Sequence, residues 1–221
     1  MKPRKKTINV PTANAKVASL AIVPDEAIAL LVLAHGAGAD MEHPFMHTLA
    51  MLLAARDVAT LRYQFPYTQQ CHKRPDTPAR LMATVRAAIE YGHSTYAGLP
   101  LFAGGKSMGG RMTSMVAAED DLTAVAGLVF LGFPLHAAGR PAKARGAHLK
   151  DVGLPMLFLQ GSRDKLADLS LLEPLCAKLG RSTTLHVIDD ADHSFHVPKR
   201  SGRTDTDVLT ELADVIAHWV T

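Results

Sequence analysis

Gly105-Lys106-Ser107-Met108-Gly109 is the stretch of this sequence whose residue types and spacing suit covalent chemistry. An apolar run at 99–103 leads into it, and a helix-compatible segment at 111–119 leads out. G-x-S-x-G between a strand and a helix places a serine on a sharp turn with its hydroxyl exposed. Flanking glycines let the backbone turn without a Cβ clash, and the helix that follows aims its first N–H groups at charge developing near Ser107. Gly105-Lys106-Ser107 also resembles the end of a phosphate-binding G-x-x-x-x-G-K-S loop. That motif needs a glycine where this chain has Pro100, which supplies neither the N–H nor the backbone freedom.

A serine nucleophile needs a base to take its proton and a group to orient the base. Candidates for both stand directly after apolar runs. Gly161-Ser162-Arg163-Asp164 follows the run at 155–160, and Asp189-Asp190-Ala191-Asp192-His193 follows the run at 183–188. Asp164 competes with a helix-capping role and with Asp168 nearby. His193 competes with His196, deeper in the same loop, and with His186 inside the run. A fourth segment, His35-Gly36-Ala37-Gly38-Ala39, follows the continuously apolar run at 28–34. The acidic and histidine cluster at 189–196, and His43 with His47 at helical spacing, raise the question of a metal. No third convergent ligand set is evident, so no metal and no cofactor are expected. Lys106 and Arg111 read as surface or supporting charges.

These segments need a scaffold. Strands are expected at 17–23, 28–34, 58–62, 99–103, 125–131, 155–160 and 183–188. Helices are expected at 44–56, 77–91, 111–119, 169–179 and 206–220, the last capped by Thr204 or Asp205. Residues 63–76 and 132–153 read as loops, the second with at most one helical turn. Alternating strands and helices imply an α/β fold, a mainly parallel twisted sheet covered on both faces, and such sheets gather active residues beyond the C-terminal ends of their strands.

Composition fits one domain spanning 1–221. The chain is 48% hydrophobic and 20% charged, with a net charge of +3. That charge is too small to argue for nucleic acid, and the apolar runs at 17–23 and 28–34 are too short to cross a bilayer. Two cysteines build no disulfide framework, and a reducing cytoplasm is the expected setting. The basic start, within 1–16, reads as a loosely held, solvated terminus.

The order Ser, Asp, His, each after a strand, resembles the α/β-hydrolase fold, and more closely its small dienelactone-hydrolase-like branch. Gly105-Lys106-Ser107-Met108-Gly109-Gly110-Arg111, Arg62-Tyr63-Gln64-Phe65-Pro66-Tyr67 and Gly132-Phe133-Pro134-Leu135 resemble testis-expressed-protein-30-like proteins, relatives of a non-specific-lethal chromatin-complex subunit. The resemblance implies a hydrolase, and the segment at 132–153 is too short for a large helical cap domain. Ser107 would be the nucleophile, His193 the base and Asp164 its orienter. The backbone amides of Ala37 and Met108 would form an oxyanion hole, with His35 and Gly36 shaping its loop. The substrate would be a small soluble molecule carrying an ester or thioester. Basic residues in the loops (Lys73, Arg74, Arg140, Lys143, Arg145, Lys150, Lys199, Arg200, Arg203) suggest an electropositive mouth and an anionic substrate. The chromatin-complex relatives imply a second reading, an interaction module that has kept the fold alone.

Overall fold

Continuously apolar stretches lie at the centre of the sheet. The computed structural model describes residues 2–221. Its strands are β1 (Arg4–Val10), β2 (Ala15–Ile22), β3 (Ala29–Ala34), β4 (Val58–Tyr63), β5 (Leu101–Lys106), β6 (Val125–Leu131), β7 (Met156–Gly161) and β8 (Thr183–Ile188). They form one sheet in the order β1-β2-β4-β3-β5-β6-β7-β8. β2 is antiparallel to β1 and β4, and every later pairing is parallel.

The helices are α1 (Pro44–Ala54), α2 (Pro66–Gln69), α3 (Pro78–Thr95), α4 (Met108–Glu119), α5 (Leu169–Leu179) and α6 (Asp205–Trp219). Period-two alternation divides the core. Leu31 and Leu33 pack with Leu49 of α1 and Leu212 of α6, whereas Leu30 and Val32 pack with Val85 of α3 and Val116 of α4. All six residues of β3 are buried, as a strand covered on both faces requires. α6 opens with a capping box: the Thr204 hydroxyl accepts the Asp207 N–H, and the Asp207 carboxylate accepts the Thr204 N–H. Among the described residues no helix is long and apolar enough to cross a membrane.

Three segments differ from the sequence expectation. The start of the chain is not loosely held: β1 pairs with β2 over all seven of its residues and buries Ile8 and Val10. Its Arg4, Lys5 and Lys6 stay exposed on an edge strand, where charge discourages further pairing. Such a strand is stabilised by a partner distant in pattern, and its own composition conceals it. Residues 63–76 contain the short α2. Within 132–153 a 3₁₀ segment, Ala144–Asp151, exceeds the single turn expected. Buried Leu149 and a 2.7 Å hydrogen bond between His148 and Ser114 hold it against α4.

Candidate active site

Ser107 joins β5 to α4 with φ +51° and ψ −115°. A positive φ in a residue with a Cβ costs on the order of 1–3 kcal/mol and persists only where the surroundings impose it. Here the Ser107 N–H donates to the Leu131 carbonyl at 3.0 Å, and the Ser107 carbonyl accepts the Arg111 N–H at 3.1 Å. α4 therefore begins at Met108, three residues before the expected start. Gly109 makes that early start possible, since a Cβ there would lie 2.6 Å from the carbonyl oxygens of both Ala34 and His35. Its absence lets the first turn of α4 rest on the end of β3, bringing Ser107 beside the 35–39 loop. Gly109→Ala is expected to destabilise the fold by roughly 1–3 kcal/mol through overpacking, read as a lowered thermal midpoint.

His35 is fully buried. Its Nδ1 donates to the Gly36 carbonyl at 2.9 Å, and its Nε2 accepts the Phe65 N–H at 3.2 Å. Burial lowers its pKa, in keeping with a neutral ring that accepts at one nitrogen. His35 thus ties the Gly36–Ala37 turn to the chain entering α2. Gly36 and Ala37 line a cleft of about 190 Å³ together with Ser107, His193 and Lys106. Among the described residues the amides of Ala37 and Met108 donate to no other group, the Met108 amide because it opens a helix.

The three side chains expected to cooperate are joined. His193 Nε2 lies 2.9 Å from Ser107 Oγ, and His193 Nδ1 lies 2.7 Å from Asp164 Oδ2. The Asp164 side chain is wholly buried and carries two further donors: Gln160 Nε2 at 2.5 Å on Oδ2, and the Leu166 N–H at 2.7 Å on Oδ1. Asp164 therefore shapes its own turn as well as holding the imidazole. A carboxylate surrounded by donors stays acceptor-only, so Nδ1 carries the ring proton and the Nε2 lone pair faces the serine hydroxyl.

The competing residues are engaged elsewhere. Asp168 caps α5 by accepting the Ser170 N–H. His196 pairs with Asp205 on the surface, and His186 pairs with Glu211. His43 caps α1 through its ring nitrogen. Among the described residues no group of three or more His, Cys, Asp or Glu could share a metal ion.

Of the two sequence readings of Lys106, a surface or a supporting charge, its contacts match the second. Its ammonium is enclosed, donates to the His193 carbonyl at 2.6 Å, and lies 5.4 Å from the centroid of the Phe195 ring. Desolvation lowers its pKa to about 8, against the opposing pull of Asp164 and Asp192. Gln160 is a residue that sequence reasoning passed over. It accepts the Phe133 N–H at 2.9 Å while donating to Asp164. A polar residue near the end of an apolar strand was the available signal.

A second cleft of about 800 Å³ adjoins the first across Gly38, Ala39 and His43. Of the basic loop residues named above, Lys73 alone lines either cleft, beside Asp40 and Glu42. Arg203 is paired with Glu211, and Arg145 donates to the His136 carbonyl.

Known structures share this arrangement of elements. A dienelactone hydrolase from Anabaena variabilis is 22% identical, with a TM-score of 0.75 over 99% of this chain and 97% of its own. An α/β serine hydrolase without a lid from Xanthomonas campestris is 19% identical, with a TM-score of 0.75 over 99% and 95%. The esterase domain of a Rhodothermus marinus protein is 18% identical, with a TM-score of 0.74 over 99% and 98%. At such identities the likeness is one of fold. The family model for the alpha/beta hydrolase domain matches residues 27–221. The chain is a member of the α/β-hydrolase family, with a mostly parallel eight-stranded sheet and, among the described residues, no lid domain.

Proposed function

We propose that this protein is a serine hydrolase that cleaves an ester- or thioester-type acyl bond of a small molecule through an acyl-enzyme on Ser107. One observation carries the reading: an unbroken hydrogen-bonded path from the Ser107 hydroxyl through His193 to the buried Asp164 carboxylate, at 2.9 and 2.7 Å. As Ser107 Oγ bonds to the acyl carbon, its proton passes to His193 Nε2, and the imidazolium is stabilised by Asp164. The amides of Ala37 and Met108 receive the oxyanion. Collapse breaks the bond to the leaving oxygen or sulfur, which takes the proton from His193. Water, deprotonated by the same imidazole, then releases the acid and restores Ser107. Every proton in this scheme is carried by the chain's own side chains or by water, so no cofactor is required.

Within the family we place the chain in the small dienelactone-hydrolase-like branch, beside the testis-expressed-protein-30-like group that its motifs resemble. The motifs around Ser107, Arg62 and Gly132 support this, as does the fold shared with the Anabaena enzyme. The segment between β6 and β7 packs on α4 and contributes no residue to the cleft at Ser107. That favours a compact acyl group in an open site. The lining of both clefts supports a substrate of low charge better than a strongly anionic one.

A fluorophosphonate probe tests the reading. Labelling at Ser107 of the folded protein is expected, together with hydrolysis of short p-nitrophenyl esters. A folded, unlabelled protein without ester hydrolysis would favour an interaction module instead. Comparing a neutral ester with its carboxylate-bearing counterpart decides the charge preference, with the higher kcat/KM expected for the neutral one.

A further inference from the structure

We propose that Lys106 is a positioning residue for the base. Its ammonium grips the His193 carbonyl, holds a loop that arrives from a distant strand in register with Ser107, and keeps a positive charge beside the imidazole. This rests on the reading of His193 as the base.

The need for such a grip follows from the sheet order. Ser107 follows β5 and His193 follows β8, with β6 and β7 between them. Three strand spacings amount to about 14 Å. The loop after β8 must therefore lie back across the ends of two strands. Gly161 clears the way, since a Cβ there would come within 2.4 Å of the Ala191 carbonyl oxygen.

The loop is tied internally by Asp192, whose carboxylate accepts the N–H groups of Ser194 and His196. Its far side is held by Phe195, which adopts φ +64° and stacks on Phe45 of α1 at 5.7 Å. Neither contact fixes the loop relative to Ser107. Lys106 does: it is the residue immediately before Ser107, so the lysine backbone and the nucleophile move together, and its hydrogen bond ends on the base's own peptide unit. A charge-assisted bond in an enclosed setting is strong and short. The Phe195 face supplies further attraction for the cation.

Charge gives the contact a second consequence. Asp164 and Asp192 are the carboxylates whose fields reach the ammonium, from the loops after β7 and β8. With the ammonium present, a proton on His193 adds a second cation to the same enclosure and is disfavoured. Loss of the Lys106 proton near pH 8 weakens both the grip and the charge.

The test is steady-state kinetics of Lys106→Met and Lys106→Arg on a short p-nitrophenyl ester across pH, with thermal midpoints. Lys106→Met is expected to lower kcat by about 10- to 100-fold with KM little changed, the scale of a misplaced catalytic group. Its acid limb in kcat/KM should move to higher pH, and the wild-type fall near pH 8 should vanish. Lys106→Arg keeps the charge and should leave the acid limb near its wild-type position.

Relief of the desolvated ammonium and loss of its hydrogen bond to the His193 carbonyl act in opposite directions in Lys106→Met, so at neutral pH the thermal midpoint should move by only a few degrees. Wild-type kcat with an unmoved acid limb in Lys106→Met would overturn the proposal. So would a loss of kcat that tracks a lowered midpoint while the limb stays put, which would make Lys106 structural only. Ser107→Ala, assayed in parallel, separates the two failures. If Ser107→Ala retains activity, the reading of the site fails. If it is inactive and Lys106→Met behaves as wild type, only the role of Lys106 fails.

Discussion

Ser107→Ala is expected to lower kcat on a short ester by on the order of 10⁶, the scale for removing a nucleophile whose partners act as a unit. The backbone gives this result its meaning. Alanine keeps the Cβ and therefore the same cost at φ +51°, and the N–H to Leu131 and carbonyl to Arg111 bonds do not involve the side chain. The lost contact is the one from Oγ to His193 Nε2. Thermal midpoints should therefore agree to within about 3 °C, the shift that less than 1 kcal/mol produces in a chain of this size. Initial rates and a melting curve on the same preparation check both halves. Retention of near-parental hydrolysis by purified Ser107→Ala would remove the proposed mechanism.

Asp164→Asn is expected to lower kcat by about 10⁴. Both carboxylate oxygens accept hydrogen bonds: Oδ2 from Gln160 and His193, Oδ1 from Leu166. An asparagine side chain has one acceptor and one donor end. Turned with its oxygen toward His193, it opposes its NH₂ to the Leu166 N–H and opens the turn. Turned the other way, it drives the imidazole into the tautomer that cannot take the serine proton, and it opposes the Gln160 amide as well. A stability loss of about 1–3 kcal/mol should accompany the kinetic one, because one buried donor goes unsatisfied in either orientation. Kinetics and denaturant unfolding measure the two effects. A variant with a tenth or more of parental kcat would move the orienting role away from Asp164.

The two variants also bear on how the site could be found. Ser107 is marked by a local pattern: glycines at 105 and 109, an apolar run before and a helical segment after. Its strained φ is a local property of that pattern, so the elbow was legible. Asp164 and His193 were legible as positions after strands, because the C-terminal edge of a parallel sheet collects whatever its loops present. His193 was preferred over His196 and His186 because it begins the turn beyond the strand, whereas His196 lies deeper in the loop and His186 inside the strand. Only coordinates pair His196 with Asp205 and His186 with Glu211.

The contacts of Lys106 and Gln160 were hidden for another reason. Their work is done on atoms far along the chain: the His193 carbonyl, 87 positions away, and the Phe133 amide, 27 positions away. A lysine beside the elbow reads equally as a surface or a supporting charge until a loop from β8 closes over it. The basic loop residues were legible in number but not in placement. Their number suggested a charged mouth, but neither Arg203, paired with Glu211, nor Arg145, bonded to a backbone carbonyl, lines the cleft at Ser107.

The sequence by itself determined the alternation of strand and helix, the two-sided burial of β3 and the strained turn at Ser107. These depend on residue period, apolar content and glycine placement within a few neighbours. Tertiary structure alone decided the pairing of β1 with β2, the reach of the β8 loop across two strand ends and the enclosure of the Lys106 ammonium. Each of these depends on the order of strands in the sheet, which sets what lies beside what and which no local period encodes.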